Sequence, residues 1–201
     1  MKGHPQHWRV FFGVELPEEV RARAAEHASR LRREFGRVRA SWERPEKFHL
    51  TLKFIGETVR PRVEDLRRAA ELAAEASEPF TLTLAGAGAF PPRGPARVLW
   101  LGVRDAAGRL AALALRLEDE CARAGFTRES RSFHPHLTLA RLRDPRSAGA
   151  LTAAHLATHF ESEPFIVNRL LVVRSELAPG GSHYTTVSHH ALGASGGEED
   201  R

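Results

Sequence analysis

The tetrapeptide His49-Leu50-Thr51-Leu52 occurs a second time in this chain, as His136-Leu137-Thr138-Leu139, 87 positions downstream. Side chains in a β-strand alternate between its two faces, so each copy predicts a strand with His and Thr on one face and two leucines on the other. That pattern is also typical of any half-buried strand. The constraint on the fold therefore comes from the repetition and not from either copy alone.

Matching landmarks flank the two copies. The apolar run that begins at Val10 returns at Val98, 88 positions on, and Glu78-Pro79-Phe80 returns as Glu163-Pro164-Phe165, 85 positions on. Three pairs with nearly equal offsets predict an internal duplication with small deletions. The period is too long for a solenoid, so two fused half-domains are expected.

Hydrophobic periodicity predicts strands and helices in the same order in both halves. The predicted strands are 8–16, 38–42, 48–55 (ended by Gly56), 80–84, 97–103, 133–142, 165–177 and 183–189, and the predicted helices are 17–35, 61–76, 110–121 and 147–160. This order predicts an α+β fold with two lobes related by a pseudo-twofold axis. We expect one bilobal domain over residues 1–192, with two interleaved lobes from repeats at about 8–90 and 97–190, and a disordered tail over 193–201.

Composition narrows the class of protein. Among 201 residues, 42% are hydrophobic and Lys plus Arg exceed Asp plus Glu by five, so the chain can bury a core and present a basic surface. Such a surface favours polyanions such as RNA, although a GC-rich genome would also account for much of the arginine excess. Cys121 is the only cysteine and continues the apolar stripe of a predicted helix, which predicts a packed thiol and excludes a disulfide framework.

The sequence contains no apolar run of about 18 residues that could span a membrane, and no charged start followed by an apolar stretch. We therefore expect a cytoplasmic protein without a membrane partner. Nothing in the sequence indicates an obligate protein partner, so a monomer is expected.

Two histidines that face one another across a cleft suit proton transfer at a phosphate. One imidazole can deprotonate the attacking oxygen while the other protonates the leaving oxygen, because the unperturbed histidine pKa of about 6.5 allows both roles at neutral pH. Thr51 and Thr138 would each add a hydroxyl that donates to a phosphoryl oxygen. Such a site is expected to need neither a metal nor another cofactor.

Two cations near the motifs are candidates for binding the phosphate charge. Strict alternation puts Lys53 on the face of His49 and Thr51, although a solvated lysine at the end of a strand is the plainer interpretation. Arg141 falls on the opposite parity, five residues after His136. It reaches the site only if the strand bulges or ends near Ala140.

Metal-binding interpretations are weaker. His155 and His159 have the i,i+4 spacing that zinc helices use, and His134 lies two residues before His136. No cysteine or carboxylate cluster completes a ligand set around them. We therefore expect a structural or incidental role for His155 and His159. The pair Gly86 and Gly88 lacks the third glycine and following helix of a dinucleotide site, so no phosphate cradle is predicted there.

These residues resemble the 2H phosphoesterase superfamily, and within it the RNA 2′,3′-cyclic phosphodiesterases, also known as 2′-5′ RNA ligases. The resemblance covers almost the whole chain, through segments 9–17, 49–56, 97–100, 133–141 and 175–177 together with Tyr184. It implies the duplicated bilobal 2H fold, with antiparallel sheets, outer helices and a central cleft.

The resemblance also implies an activity: hydrolysis of a terminal RNA 2′,3′-cyclic phosphate to a 2′-phosphate without a metal. It implies catalysis by His49 and His136, phosphate binding by Thr51 and Thr138, and a place at the phosphate for Arg141, so a local bulge is predicted. We assign His49 as the general acid and His136 as the general base as a working hypothesis, because a symmetric sequence does not distinguish the roles.

Three alternatives stay open at this point. The family is associated with joining RNA ends through a 2′-5′ linkage. Other 2H enzymes open cyclic phosphates on small nucleotides or ADP-ribose-type molecules. A non-catalytic RNA-binding module would use the basic cleft alone. Phe48, Phe133 and Tyr184 could stack on a base, although packing is the plainer interpretation for each.

Overall fold

A computed structural model describes residues 7–178 and 181–193 of the chain. Within these residues the strands are β1 (His7–Glu15), β2 (Ala40–Trp42), β3 (His49–Val59), β4 (Phe80–Phe90), β5 (Val98–Arg104), β6 (His136–Leu142), β7 (Phe165–Val167), β8 (Arg169–Ala178) and β9 (Gly181–Ala191). The helices are α1 (Glu18–Glu34), α2 (Val63–Glu75), α3 (Arg109–Arg123) and α4 (Gly149–Leu156). The α+β class predicted from the sequence is confirmed.

The strands form two antiparallel sheets, with the orders β3-β1-β8-β9 and β2-β6-β5-β4-β7. The order β3-β1-β8 in the first sheet corresponds to β6-β5-β4 in the second. Each sheet therefore contains strands from both halves of the sequence, because β4 of the first half pairs in the second sheet and β8 of the second half pairs in the first. This is the arrangement expected for two interleaved lobes of a duplicated fold.

Helices cover one face of each sheet. Helices α2 and α3 pack on the sheet that contains β3 and β8, and α1 and α4 pack on the sheet that contains β4 and β6. Apolar stripes explain these contacts: Leu66, Ala70 and Ala73 of α2 are buried, as are Leu113 and Leu117 of α3. The opposite, more polar sheet faces are left to form a cleft.

The repeated motif separates core from cleft as predicted. Leu50 and Leu137 are buried against the helices, whereas His49 and His136 are only partly buried. Burying a leucine side chain stabilises the fold by about 2 kcal/mol relative to leaving it exposed. The leucines therefore fix which face of each strand can carry the histidines.

Several predicted element boundaries are wrong. Gly56 does not end β3, because its positive φ of 81° is accommodated within a strand that continues to Val59. The segment with Gly86 and Gly88 is not a loop but part of β4. Gly88 is needed there, since a Cβ atom would lie 2.0 Å from the Trp100 ring.

Two further elements differ from the prediction. The run 165–177, predicted as one strand, divides at Asn168 into β7 and β8, which lie in different sheets. The fourth helix ends at Leu156, short of the predicted end at Phe160. Apolar residues resume shortly after each break, at Leu170 and at Phe160, so periodicity alone does not reveal the breaks.

The predicted tail lies outside the described residues from position 194 onward, and Gly193 lies in a turn. The first six residues and residues 179 and 180 are also outside the described part. Within that part, none of the helices is both long and apolar enough to cross a membrane.

Candidate active site

Both copies of the motif line one cleft between the two sheets. The cleft has a volume of about 420 Å³, and its walls include His49 and Thr51 from β3 and His136, Thr138 and Arg141 from β6. Strands β3 and β6 contact each other, which brings the two motifs together although they are 87 positions apart in sequence. Five of the six predicted site residues therefore lie together.

The two histidines are oriented in the same way. The Nδ1–H group of His49 donates to the carbonyl oxygen of Lys47 at 2.6 Å, and that of His136 donates to the carbonyl oxygen of His134 at 2.7 Å. In each case the acceptor lies two residues before the histidine. A backbone carbonyl can only accept, so this contact assigns the proton to Nδ1 and leaves Nε2 available for proton transfer.

The Nε2 atom of His49 lies 3.0 Å from Oγ1 of Thr51. When the imidazole is neutral, the threonine hydroxyl donates to Nε2, and when it is protonated, Nε2–H donates to the hydroxyl oxygen. The spacing of two residues along a strand produces this contact, since both side chains emerge on the same face.

Aromatic rings hold both imidazoles in place. The ring of Phe11 stacks on His49 at a centroid distance of 4.7 Å, and Tyr184 contacts the same imidazole edge-on at 5.2 Å. Phe90 contacts His136 edge-on at 5.1 Å. These contacts limit rotation of the imidazoles and remove water from one side of each.

The environment lowers the pKa of both histidines below the ordinary value of 6.5. Burial is the main cause for His49, opposed by the hydrogen bond to Lys47 and reinforced by the charge of His136. Burial is also the main cause for His136; the hydrogen bond to the carbonyl oxygen of His134 opposes it, and the charges of the His134 and Arg141 side chains add to the lowering. Both imidazoles are therefore poised to be neutral at pH 7 in the free protein.

The predicted bulge is present, and it occurs in both repeats. In the pairing of β5 with β6, Trp100 is opposite Thr138 and Leu99 is opposite Ala140, so Leu139 is the extra residue. In the pairing of β1 with β3 the extra residue at the equivalent place is Leu52, and Ile55 is a second extra residue further along the strand. The first six residues of β3 and β6 share the same sequence of buried, partly buried and exposed side chains.

The bulge reverses the parity of the residues that follow each motif. Arg141 therefore returns to the cleft face, five residues after His136. Its counterpart in the first repeat, Phe54, also lines the cleft, and the guanidinium of Arg9 lies 4.9 Å from the centre of the Phe54 ring. The two walls of the cleft thus have the same backbone path, but one carries a cation, Arg141, where the other carries an aromatic ring, Phe54.

The prediction that Lys53 shares the cleft face of His49 is wrong, and the bulge at Leu52 is the reason. The side chain of Lys53 points away from the cleft and is 3% exposed. Its ammonium group donates to both carboxylate oxygens of Glu118 at 2.8 Å and to the carbonyl oxygen of Thr127 at 3.0 Å. Lys53 joins β3 to α3 and the loop after it, and it does not line the cleft.

Sequence reasoning missed several residues of the cleft wall. Arg9, Phe11 and Ser175 come from β1 and β8, and Glu43 and Lys47 come from the segment between β2 and β3. Alternation within β1 puts Arg9 and Phe11 on one face, but only the pairing with β3 identifies it as the cleft face. Arg9, Phe11 and Ser175 all lie in segments that carry the family resemblance, but the resemblance assigned them no role.

The predicted aromatic residues have different positions. Tyr184 lines the cleft, and burial raises the pKa of its hydroxyl. Phe48 is buried in the core and Phe133 does not line the cleft. Packing, the plainer interpretation, is confirmed for Phe48, and among the three only Tyr184 lies where stacking on a bound base is possible.

The other histidines and the cysteine are placed as expected. His155 is fully buried, with Nε2 donating to the carbonyl oxygens of Gly88 and Trp100, and His159 lies beyond the end of α4. Burial raises the pKa of the Cys121 thiol to about 12. Among the described residues no group of three or more His, Cys, Asp or Glu side chains is arranged to hold a metal ion.

Solved structures with the same architecture include a protein of Thermus thermophilus, TT0787. It aligns with a TM-score of 0.76 and 28% identity over 94% of this chain and 100% of that chain. Escherichia coli LigT in complex with 3′-AMP aligns with a TM-score of 0.73 and 29% identity, over 93% of this chain and 99% of that chain.

Similar proteins are named RNA 2′,3′-cyclic phosphodiesterase. That of Escherichia coli is 33% identical over 92% of this chain and 96% of its own length. That of Methanothermobacter thermautotrophicus is 32% identical over 88% of this chain and 95% of its own length.

The family model described as "LigT like Phosphoesterase" matches the chain twice, at residues 14–100 and 101–184. The second match begins 87 positions after the first, which is the offset between the two copies of the motif. The double match, the shared fold and the paired histidines lead to one conclusion: this chain belongs to the LigT-like family of 2H phosphoesterases.

Proposed function

We propose that this protein hydrolyses the 2′,3′-cyclic phosphate at the end of an RNA strand to a 2′-phosphate. The observation that carries the proposal is the pair of histidines in one cleft, each with Nδ1 bound to a backbone carbonyl and Nε2 available for proton transfer. The names of its relatives, RNA 2′,3′-cyclic phosphodiesterases, support the same substrate. Structures of Escherichia coli LigT with 3′-AMP and with phosphate support binding of a nucleoside phosphate, but they do not bear on which oxygen leaves.

In the proposed reaction His136 is the general base and His49 the general acid. Nε2 of His136 takes a proton from water, and the water oxygen forms a bond to phosphorus. The bond between phosphorus and the 3′ oxygen breaks, and Nε2–H of His49 protonates that oxygen. Charge and atoms balance without a metal, and proton transfer by positioned imidazoles contributes about 10²–10⁴-fold in rate.

The developing negative charge falls on the two non-bridging phosphoryl oxygens. Thr51 and Thr138 supply neutral donors beside each histidine, and Arg141 supplies a positive charge on the same cleft face. Since Arg141 makes no salt bridge with a carboxylate among the described residues, its guanidinium is free to bind the phosphate. Lys53 has no part in this proposal.

Single substitutions of the histidines test the mechanism. We expect His49→Ala and His136→Ala each to lower kcat/KM on an oligonucleotide with a cyclic-phosphate end by about 10³-fold, because each removes a proton carrier. His159→Ala is the matched control, since it removes an exposed histidine outside the cleft. Near-normal hydrolysis by either cleft variant would reject the two-histidine scheme.

A second candidate substrate is a small cyclic nucleotide. Structures of Escherichia coli LigT with NADP⁺ and with ATP indicate that this protein of the family binds whole nucleotides. Comparing kcat/KM for a cyclic-phosphate RNA with that for a 2′,3′-cyclic mononucleotide separates the two.

Formation of a 2′-5′ linkage is the reverse of cleavage, and in about 55 M water hydrolysis dominates unless a second RNA end is held in position.

We also propose that the protein acts as a monomer in the cytoplasm, with RNA ends as its partners. The net charge of +5 supports polyanionic partners. Light scattering after size-exclusion chromatography tests the monomer, and cell fractionation tests the location. A stable dimer at micromolar concentration would contradict the first part.

A further inference from the structure

A second concavity, of about 850 Å³, adjoins the catalytic cleft. The two share Glu43, Lys47, Arg141 and Ser182 in their walls, so they are continuous. The outer part is formed by the end of α1 and the segment after it, by β2 and the segment after it, and by the end of β6. We call this outer part the cationic groove.

Backbone pairing explains why positive charge collects here. Beyond the bulge in β6 the side chains of Arg141 and Arg143 emerge on the cleft face, two residues apart. In the neighbouring strand β2, Ser41 is opposite Arg141. The backbone N–H of Arg143 donates to the carbonyl oxygen of Arg39 at 2.8 Å, so these two residues are also opposite one another. Residues directly opposite in antiparallel strands share a face, so Arg39 extends the same row.

The cations of the groove lack carboxylate partners. Across the described residues, ten arginines elsewhere on the surface form salt bridges within 4 Å, most of them with a carboxylate three residues away. None of the seven cations that line the concavity does so within that part of the chain: Arg32, Arg37, Arg39, Arg44, Lys47, Arg141 and Arg143. Like charges so close repel, and a polyanion relieves that repulsion.

Aromatic side chains lie among these cations. Phe35 and Trp42 line the groove and are partly exposed. Alternating positive charge and accessible rings are the two features by which proteins hold single-stranded nucleic acid, through phosphate contacts and base stacking. A small anion would use the charge but not the rings.

We propose that the cationic groove binds the RNA strand that leads to the terminal cyclic phosphate, so that the preferred substrate is an oligonucleotide and not a mononucleotide. The inference rests on the proposed function for the position of the terminus in the cleft. Arg39 and Arg143 lie next to Arg141 along the same face, so they meet the phosphates immediately upstream of the terminus. Arg37 and Arg44 bind further along the strand.

The test uses the full chain and two triple variants that lose the same charge. Arg37→Gln/Arg39→Gln/Arg143→Gln changes the groove, and Arg67→Gln/Arg68→Gln/Arg123→Gln is the matched control on α2 and α3. The probe is a fluorescent eight-nucleotide RNA with a 2′-phosphate end, and its binding is measured by anisotropy over a range of NaCl concentrations.

We expect the groove variant to bind this RNA at least tenfold more weakly than the control variant. The slope of log K against log[NaCl] should fall in magnitude by about two, since each lost phosphate contact in a single strand contributes about 0.7. Equal affinities and slopes for the two variants would overturn the proposal. Binding does not require turnover, so this outcome is independent of whether the protein hydrolyses cyclic phosphates.

Kinetics provide a second readout. Relative to the unaltered protein, the groove variant should show a fall in kcat/KM that is at least tenfold larger on a cyclic-phosphate octanucleotide than on a 2′,3′-cyclic mononucleotide. Equal losses on the two substrates would contradict a groove that binds the upstream strand. Hydrolysis of neither substrate by the unaltered protein would instead reject the proposed function and leave the binding experiment to decide the groove.

Discussion

At the level of single residues, the environment of the two histidines determines when each can act. Burial lowers the pKa of both below 6.5, so the neutral form is favoured at pH 7. A neutral imidazole suits the base, His136, but the acid, His49, must be protonated. The competent form of the free protein, with one proton on the pair, is therefore most abundant between two pKa values that both lie below 6.5.

This predicts the pH dependence of catalysis. The value of kcat/KM should follow a bell-shaped curve whose maximum lies on the acid side of pH 6.5, because kcat/KM reports the pKa values of the free enzyme. The activity that remains in His49→Ala should lack the fall at high pH, and that in His136→Ala should lack the fall at low pH. A maximum above about pH 7.5 would contradict the lowered pKa values. If His49→Ala instead lost the fall at low pH and His136→Ala the fall at high pH, His49 would be the base and His136 the acid.

Lys53 and Arg141 show what the sequence could and could not predict at this scale. Strict alternation assigned each to the wrong face, because a single extra residue after each threonine reverses the parity. The family resemblance corrected the prediction for Arg141, but nothing comparable was available for Lys53. A bulge of one residue leaves no reliable trace in hydrophobic periodicity.

The two cations are predicted to respond differently to substitution. Lys53→Met should lower the free energy of unfolding by about 3 kcal/mol, because it leaves the largely buried carboxylate of Glu118 without its partner. The double variant Lys53→Met/Glu118→Leu should recover part of that loss. Chemical denaturation measures both, and an unchanged unfolding free energy for Lys53→Met would show that the ion pair is not structural.

Arg141→Ala should have the opposite profile. We expect its free energy of unfolding to lie within about 0.5 kcal/mol of that of the unaltered protein, because the side chain of Arg141 is exposed. We expect kcat/KM to fall about 10²–10³-fold, since a charged group that stabilises developing negative charge is lost. Arg146→Ala, an exposed arginine outside the cleft, is the control. Full activity of Arg141→Ala would remove this residue from the phosphate site.

At the level of elements, a chain of hydrogen bonds joins α1 and α4 to the sheet beneath them. Nε2 of His155 donates to the carbonyl oxygens of Gly88 and Trp100, so its Nδ1 accepts from Nε2 of His27 at 3.1 Å. Nδ1 of His27 then accepts from Arg30 at 3.3 Å. An added proton on His27 would face the Arg30 guanidinium, and burial together with these charges lowers the pKa of His27 to about 4.

This chain of hydrogen bonds predicts acid sensitivity. A histidine whose pKa is depressed by folding binds protons more readily in the unfolded state, so stability falls as the pH drops from about 6.5 toward 4. Between about pH 7 and pH 4.5 the free energy of unfolding should fall by roughly 2 kcal/mol less in His27→Gln than in the unaltered protein. The free energy of unfolding measured at both pH values tests this, and an equal loss in variant and unaltered protein would contradict it.

The same elements show a limit of sequence-based prediction. The spacing of His155 and His159 suggested neighbours on one helix face, but α4 ends at Leu156, between the two residues. The helical histidine that does meet His155 is His27, 128 positions away. Only the packing of α1 against α4 brings them together, and periodicity within one element carries no information about such partners.

At the level of the whole molecule, the exchange of strands ties the two halves together. β4 pairs with β5 of the second half, and β8 pairs with β1 of the first. Neither half can complete a sheet alone. The duplication itself was readable from offsets of 88, 87 and 85 positions, and interleaved lobes were expected. The strands that cross between the sheets were not predicted, since hydrophobic runs do not identify their pairing partners.

The exchange predicts a single cooperative unfolding transition for the whole domain. We expect the calorimetric and van't Hoff enthalpies to agree, and fragments 1–94 and 95–201 to be unfolded when expressed separately. Circular dichroism of the fragments checks the second expectation. Two separable transitions, or a folded isolated half, would contradict an interleaved domain.

The proposed activity is tested most directly by the product of one reaction. An RNA oligonucleotide with a 2′,3′-cyclic phosphate end is incubated with the protein in excess EDTA, and the end group is identified by mass spectrometry and phosphatase or alkaline treatment. We predict a 2′-phosphate, formed at the same rate with and without the chelator and lost in His136→Ala. A 3′-phosphate would overturn the assignment of the leaving oxygen, and inhibition by EDTA would contradict metal-independent catalysis by the two histidines.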